Sequence, residues 1–330
     1  VIADAFKTVD TKHTEEGVDV VSDGEQSKIS YATYIKHRLN GFDGDSPRRT
    51  PKDLEEYPAF SKRASSSGGV PTYSRPQCVG PISVKDLKPL EVDLQNFKDA
   101  LSASESTDAF MNAASPGVIA QFQPNQHYPD HSSYLYALAD AMKVEYEGIA
   151  EAGLVIQIDS PDLALGRHVL FKDQSDEEFV TMAELHIEAL NHALQNIPAE
   201  QLRLHVCWGN YQGPHHCDIE MKKILPAVLK AKPMALSFEG ANPRHSHEWS
   251  VFRDAKIPEN KVLIPGVLDS TTNFVEHPEL VAERICRFAD IVGRERVIAG
   301  SDCGFSTFAG FGTVDADITY ATVSYTHLTL

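Results

Sequence analysis

A histidine and a cysteine stand two positions apart in the segment HVCWGN, where His205 and Cys207 end a short apolar run. In a β-strand, side chains two residues apart point to the same face, so this imidazole and this thiol would be presented together. Two further candidate ligands end other apolar runs, Glu239 in SFEG and Cys303 in SDCG. Imidazole, thiolate and carboxylate groups suit a tetrahedral Zn2+ ion, whereas Mg2+ and Ca2+ prefer shells of oxygen ligands.

The alternative interpretation treats each of these residues as ordinary. A buried cysteine usually behaves as a small apolar side chain, and a histidine taken singly is usually a hydrogen-bonded core or surface residue. The metal interpretation therefore depends on whether His205, Cys207, Glu239 and Cys303 converge.

The elements that must bring these residues together are short, apolar, β-branched runs. Several of them lack strict alternation, which is typical of parallel strands buried on both faces. Helical patterns lie between them, at residues 133–151, 175–194 and 277–293. Alternating strands and helices predict an α/β fold. The runs are residues 18–25, 117–123, 154–161, 202–209, 235–240, 262–269 and 296–304.

A closed (β/α)8 TIM barrel needs eight parallel strands, one more than these runs supply. We expect such a barrel, lacking its first strand and its last helix in this sequence. An open doubly wound sheet is the alternative, but no G-x-G-x-x-G loop follows a first strand. The carboxyl ends of all strands of a parallel barrel open on one face, so ligands far apart along the chain are predicted to meet there.

The predicted organisation is a single barrel domain over residues 1–322, with an excursion at about residues 41–80 that is rich in Asp, Pro, Arg, Ser and Gly. The segment QCVGPISV, residues 77–84, is predicted to form an extra edge strand beside it. The last residues, 323–330, read VSYTHLTL and show no periodicity. We interpret them as a tail that is not native to the protein.

Composition excludes several classes of function. The formal net charge is -17 at pH 7, with Lys+Arg 30 and Asp+Glu 47, which argues against partners such as nucleic acid or an anionic membrane surface. No run reaches the about 18–20 consecutive apolar residues of a membrane span, and no signal peptide opens the chain. Five cysteines form an odd, widely spaced set, unlike a disulfide scaffold. A cytoplasmic protein that acts on small molecules is expected, with its oligomeric state open.

Motifs along nearly all of residues 1–322 resemble the catalytic barrel of the cobalamin-independent methionine synthase family. The resemblance implies that the four candidate ligands named above hold a zinc ion, and that Glu25 and Asp159 bind the amino group of homocysteine. Taken without the resemblance, Glu25 could be a solvated turn acid and Asp159 a helix cap. The motifs are DGE (23–25), IQID (156–159), HVC (205–207), PGVLD (265–269) and DCG (302–304), together with Glu239 after its apolar run.

The resemblance also implies an activity in methionine biosynthesis, the zinc-dependent methylation of homocysteine to methionine. A free thiol has a pKa of about 8.5 and is mostly protonated at neutral pH, whereas coordination to zinc deprotonates it. No catalytic residue is predicted beyond the zinc site. The candidate methyl donor is 5-methyltetrahydrofolate, but a histidine that the family carries after the PGVLD strand has no counterpart in Asp269, Ser270 and Thr271. The folate donor therefore stays open.

Three other functions are alternatives to this one. A related zinc-dependent alkyltransferase would act on another thiol such as coenzyme M, and Arg244 could bind its sulfonate. A zinc hydrolase usually has a histidine-rich shell, and a structural zinc protein usually has locally paired ligands such as C-x2-C. His277 is predicted to begin a helix, and His215, His216 and Cys217 are interpreted as a solvated loop.

Overall fold

The computed structural model describes residues 1–47, 49–67, 75–103, 106–305 and 314–329, which divide into two compact units. The first unit comprises Val1–Pro47, Ser74–Asp159 and Glu188–Arg203, and the second comprises Arg48–Tyr73, Ser160–Ile187 and Leu204–Leu330. The elements are α1 (Ile2–Glu15), β1 (Val20–Ser22), β2 (Leu39–Asp43), α2 (Lys52–Glu55), α3 (Pro58–Ser67), β3 (Gln77–Val84), α4 (Lys88–Leu101), β4 (Asp108–Ala114), α5 (Pro116–Phe122), α6 (His131–Glu151), β5 (Val155–Asp159), α7 (Gly166–Val169), α8 (Asp176–Ala193), β6 (Leu202–Val206), α9 (Met221–Val228), β7 (Ala235–Phe238), α10 (Trp249–Asp254), β8 (Val262–Leu268), α11 (Pro278–Val292), β9 (Gly300–Ser301) and α12 (Ala316–Thr329).

In the first unit, three strands are parallel; the DGE motif follows β1 and the IQID motif lies in β5. β1 pairs with β4 and β4 pairs with β5, and the register of the second pair sets Ala114 beside Asp159. Helices α1 and α4 contact each other through Phe6 and Phe97, whose ring centroids are 6.1 Å apart. A separate antiparallel pair joins β2 to β3, so the extra strand predicted at residues 77–84 is confirmed.

The prediction of a strand at residues 117–123 is wrong. Residues 117–122 of this run lie in helix α5, and the strand that pairs with β1 and β5 is β4, immediately before that helix. The Ser115 side chain accepts a hydrogen bond from the Val118 backbone N–H, and Pro116 occupies the first turn, an arrangement that starts a helix. A short run that is buried all round does not distinguish a core strand from a core helix, which explains the error.

In the second unit, strands and helices pack through aromatic side chains. β7 pairs with β8, and β8 with β9, both in parallel. Phe238 at the end of β7 stacks on Phe252 of α10 with centroids 4.3 Å apart, and lies 5.5 Å from the ring of Phe288 of α11. This aromatic group ties the strand that precedes Glu239 to two helices.

The predicted helices at residues 133–151, 175–194 and 277–293 correspond to α6, α8 and α11. The prediction that His277 begins a helix is confirmed, since its side chain is the N-cap of α11 and accepts from the Glu279 N–H. The helix ends at Val292 before Gly293, whose φ of 90° is in the left-handed region that glycine tolerates.

Parallel pairing and alternation with helices confirm the predicted α/β class. Of the predicted tail, residues 323–329 lie within α12, and Leu330 lies outside the described residues. The single-domain organisation and the origin of the tail stay predictions. Among the residues that the structure describes, no helix combines the length and the apolar character needed to span a membrane.

Candidate metal centre

Three of the four predicted ligands come together in the second unit. His205 lies in β6, Cys207 directly follows that strand, and Cys303 follows β9. One ligand atom from each residue lies within 4.8 Å of the other two. The two Sγ atoms are 3.2 Å apart and belong to free cysteines, and Cys303 Sγ lies 3.7 Å from His205 Nε2.

Glu239, the fourth predicted ligand, approaches this group from the end of β7. Its Oε1 atom is 3.9 Å from Cys303 Sγ. Oε1 also accepts a hydrogen bond from the Trp208 backbone N–H at 2.7 Å, and Oε2 accepts one from the Asn242 side-chain amide at 2.8 Å. The carboxylate is therefore fixed in orientation by two N–H donors while it faces a thiol.

A buried carboxylate that the sequence interpretation did not single out, Asp302, holds the loop after Glu239. Asp302 Oδ1 accepts the backbone N–H groups of Gly240 and Ala241, both at 2.7 Å, and Oδ2 accepts that of Asn242 at 2.8 Å. A Cβ atom at Gly266 in β8 would overlap this carboxylate, so the PGVLD glycine leaves the space that Asp302 occupies. The position of Asp302 directly before Cys303 was the signal in the sequence that could have identified it as part of the site.

The acidic groups of the cluster repel one another when they are ionised. The pKa of Cys303 is raised well above its usual value by its hydrogen bond with Cys207, by burial and by Glu239. For Cys207 the hydrogen bond from Cys303 lowers the pKa, but burial and Glu239 leave it raised overall. Burial raises the pKa of Asp302 to about 7, and Glu239 adds to the effect. A divalent cation would relieve this repulsion, since it attracts every anion in the group.

The donor set fits zinc on chemical grounds. An imidazole nitrogen, two sulfur atoms and a carboxylate oxygen are the ligand types that Zn2+ takes in four-coordinate sites, and a shell with two thiolates does not suit Mg2+ or Ca2+. The residues that would hold the ion are His205, Cys207 and Cys303, with Glu239 as the fourth.

A second layer of contacts fixes Trp208, whose N–H binds Glu239. The indole Nε1 donates to the Ile219 carbonyl at 2.7 Å, and the ring stacks on His245 with centroids 4.1 Å apart. His245 lies between Asp218 at 3.0 Å and Glu248 at 2.9 Å. Burial lowers the pKa of His245, but the hydrogen bonds to these two carboxylates outweigh burial and raise it to about 10, so the ring is protonated at neutral pH.

The two predicted amino-group ligands, Glu25 and Asp159, lie in the first unit, just after β1 and at the end of β5. Glu25 has a φ of 53°, a left-handed conformation that residues other than glycine rarely adopt, and its N–H donates to Asp23 Oδ1 at 3.1 Å. The Asp159 carboxylate accepts from the side-chain amides of Asn112 at 3.1 Å and Gln157 at 3.3 Å. The Asp159 carboxylate is thus held by two side-chain amides, whereas the Glu25 carboxylate pairs with the Lys28 ammonium group at 3.5 Å.

Electrostatics links these two acids. Burial raises the pKa of Glu25 to about 7, Lys28 at 3.5 Å lowers it, and the charges of Asp159 and Asp23 raise it. Lys28 also donates to the Asn112 carbonyl at 2.5 Å. A cationic group placed beside Glu25 and Asp159 would favour their ionised forms, because opposite charges stabilise a carboxylate.

Comparison with known proteins gives the family. The family model described as the catalytic domain of cobalamin-independent synthase matches residues 116–318. The methionine synthase of Saccharolobus solfataricus is 27% identical to this chain over 306 residues, which is 91% of this chain and 76% of that protein. The methionine synthase of Sulfurisphaera tokodaii is 26% identical over 306 residues, or 91% of this chain and 75% of that protein.

Solved structures agree on the fold. A B12-independent methionine synthase from Shewanella sp. W3-18-1, in complex with selenomethionine, matches with a TM-score of 0.74 and 19% identity over 98% of this chain and 85% of that one. A putative vitamin-B12 independent methionine synthase from Listeria monocytogenes matches with a TM-score of 0.66 and 18% identity over 98% and 84%. The predicted TIM-barrel fold is confirmed by this similarity.

Proposed function

The chain belongs to the cobalamin-independent methionine synthase family, and from this premise we propose that it is a zinc-dependent methyltransferase that converts homocysteine to methionine. The observation that carries the proposal is the convergence of His205, Cys207 and Cys303, with the Glu239 carboxylate 3.9 Å from one of the thiols. A shell with two cysteines argues against a hydrolytic site, which usually has a histidine-rich shell, and an incoming substrate sulfur would replace one of the four ligands.

The proposed roles at the metal follow from the contacts of the ligands. A bound zinc ion would lower the pKa of the substrate thiol, so that its sulfur is a nucleophile at neutral pH. The chain supplies the orientation: Trp208 and Asn242 fix both oxygen atoms of Glu239. Oxygen is a harder ligand than sulfur, so Glu239 is the ligand we expect to give way to the incoming thiol.

Glu25 and Asp159 are proposed to bind the substrate ammonium group. Two carboxylates can share its three N–H donors in charge-assisted hydrogen bonds. The raised pKa of Glu25, caused first by burial, supports this role because an ammonium ion would restore the ionised form. The amides of Asn112 and Gln157 leave the Asp159 carboxylate with little freedom to rotate.

The methyl donor in this proposal is 5-methyltetrahydrofolate, and one observation favours a second candidate. Where the family carries a histidine, Asp269 accepts from the Thr271 N–H and hydroxyl groups, and the Ser270 hydroxyl donates to the Asn210 side-chain oxygen. These groups serve local structure and do not replace an imidazole. The second candidate is alkyl transfer to another thiol such as coenzyme M, for which the exposed Arg244 would bind the sulfonate.

Zinc-edge X-ray absorption of the full chain, with and without each thiol, tests the proposal. A new sulfur neighbour on addition of homocysteine supports methionine synthesis, and a change with coenzyme M alone supports the second candidate. A chain that binds no zinc, or whose zinc environment responds to neither thiol, contradicts both. A cytoplasmic location is part of the proposal and is supported by the charge and the cysteine pattern.

A further inference from the structure

A second group of potential ligands lies on the surface of the second unit. His216 Nε2 is 2.7 Å from Glu56 Oε2, and Cys217 Sγ is 3.9 Å from Glu56 Oε1. One ligand atom from each of these residues lies within 4.8 Å of the other two. We propose that Glu56, His216 and Cys217 form a surface site for a divalent transition metal ion such as Zn2+.

The chemistry of the three side chains selects the kind of ion. Imidazole nitrogen, thiolate sulfur and carboxylate oxygen together suit a borderline ion, whereas Ca2+ and Mg2+ take oxygen ligands only. Three protein ligands leave a fourth tetrahedral position for water. His216 and Glu56 have side-chain exposures of 37% and 49%, so an ion could reach them from solvent without any opening of the fold.

A buried carboxylate holds together the two chain segments that carry the ligands. Asp53 of α2 is fully buried, and its Oδ2 atom accepts the Tyr211 hydroxyl at 2.8 Å and the His215 backbone N–H at 3.0 Å. Glu56 is the C-cap of the same short helix that contains Asp53, and His216 directly follows His215. These hydrogen bonds therefore set the spacing between Glu56 and His216 before any metal binds.

The backbone at His215 decides which residues of the HHCD segment face outward. His215 has a φ of 52°, and its ring is turned inward, with Nδ1 at 3.0 Å from Asp218 and Nε2 at 2.9 Å from the Tyr211 carbonyl. His216 and Cys217 are thereby left to face Glu56. The interpretation of residues 215–217 as a solvated loop did not include the contacts with Glu56, because Glu56 lies about 160 positions earlier in the chain, in the excursion.

Packing and charge at the cluster also favour a cation. The Tyr57 ring meets the His216 ring edge to face at 5.6 Å, which limits the positions that the imidazole can take. The carboxylates of Glu56 and Asp53 lie near the Cys217 thiol and give this part of the surface a negative potential. That potential would attract a divalent ion, which displaces the thiol proton on binding.

Zinc counting on the full chain tests the proposal. The chain and its variants are dialysed against the same buffered Zn2+ solution, and bound zinc per chain is measured by atomic emission. We expect Cys217→Ser and His216→Asn each to bind one ion fewer than the unaltered chain. Cys286→Ser is the matched control, since Cys286 is an exposed free cysteine outside both clusters, and it should bind the unaltered number.

Cobalt substitution gives a second readout that does not depend on activity. Cobalt bound to a thiolate shows a charge-transfer absorption, and Cys217→Ser should remove one component while Cys303→Ser removes the other. Equal zinc content and equal cobalt spectra in the unaltered chain, Cys217→Ser and Cys286→Ser would overturn the proposal. Loss of a component with Cys217→Ser alone would support this surface site even if the internal cluster bound no metal.

Discussion

Cys303 is the residue on which the internal cluster depends most. Its sulfur lies 3.2 Å from Cys207 Sγ, 3.7 Å from His205 Nε2 and 3.9 Å from Glu239 Oε1, so it contacts each of the other candidate ligands. Removing it would take away one ligand and leave the buried anions around it unchanged.

We therefore expect Cys303→Ser to lower zinc affinity by more than about 100-fold, since loss of a contact outside the ligand shell already costs about 10–100-fold. Competition with a coloured chelator measures the affinity. Cys286→Ser, at an exposed position of α11, is the control and should leave affinity unchanged. Equal affinities of the two variants would mean that Cys303 is not a ligand.

Glu25 permits a prediction that separates substrate binding from the metal. Its pKa is raised, first by burial, to about 7, so below that pH the carboxyl is largely neutral and cannot pair with an ammonium group. We expect the KM for homocysteine to rise as the pH falls from about 8 to about 6. In Glu25→Gln the KM should be about 10–100-fold higher and should lose this pH dependence, because a charge-assisted hydrogen bond contributes about 1.5–3 kcal/mol.

Zinc content serves as the control for that experiment. If Glu25→Gln retains the zinc of the unaltered chain, the change in KM belongs to amino-group binding. An unaltered KM and an unaltered pH profile would exclude Glu25 from the substrate site.

At the scale of elements, the polar residues at strand ends were easier to predict than the assignment of each apolar run to a strand or a helix. His205, Glu239 and Cys303 stand at the ends of apolar runs, and polar residues directly after such runs are a signal that the sequence carries openly. The strand β4, of sequence DAFMNAA, carries no such signal, because its Asp, Asn and Ala residues have low β propensity. Its conformation comes from pairing with β1 and β5, a tertiary effect that no local pattern reports.

The supporting contacts were missed for a related reason. Asp302 binds three consecutive backbone N–H groups that lie about sixty positions earlier in the chain, in the loop after Glu239. The excursion contributes Asp53 to a different loop in the same way. Residue type alone gives the candidate ligands, whereas the contacts that hold them depend on pairings between distant segments.

The N-cap of α5 gives a prediction at this scale. Ser115 accepts the Val118 N–H at 3.0 Å and is 2% exposed, so its replacement leaves a buried donor without a partner. We expect Ser115→Ala to lower the free energy of unfolding by about 1–2 kcal/mol, measured by urea denaturation. Thr8→Ala, on an exposed part of α1, is the comparison and should change it by less than about 0.5 kcal/mol. A smaller effect at Ser115 than at Thr8 would contradict the capping role.

The Asp302 carboxylate gives a second prediction at the scale of elements. In Asp302→Asn one acceptor oxygen becomes an NH2 group that faces backbone N–H donors, so at least one of the contacts to Gly240, Ala241 and Asn242 is lost. We expect a loss of about 2–3 kcal/mol in unfolding free energy and weaker zinc binding, because the loop that follows Glu239 is released. Unchanged denaturation and unchanged zinc affinity would show that the loop is held by other contacts.

For the molecule as a whole, buried acids and histidines set how stability responds to pH. At a net charge of -17, repulsion between negative charges destabilises the folded state. A buried protonated histidine between two carboxylates offsets part of this repulsion. His245 is 3% exposed and pairs with Asp218 and Glu248. The protonated ring is therefore a structural cation of the second unit.

The pKa of His245 in the folded and in the unfolded chain determines how its contribution to stability changes with pH. Burial lowers the pKa of His245, but hydrogen bonds to Asp218 and Glu248 raise it to about 10 in the folded chain, against about 6.5 in an unfolded one. Its stabilisation is thus complete below about pH 6.5 and is lost as the pH rises towards 10. We expect urea denaturation to show roughly 1–2 kcal/mol less stability at pH 9 than at pH 7 from this group. His245→Gln should flatten that interval while it lowers stability at pH 7, and an unaltered slope would show that the imidazolium is not what the two carboxylates hold.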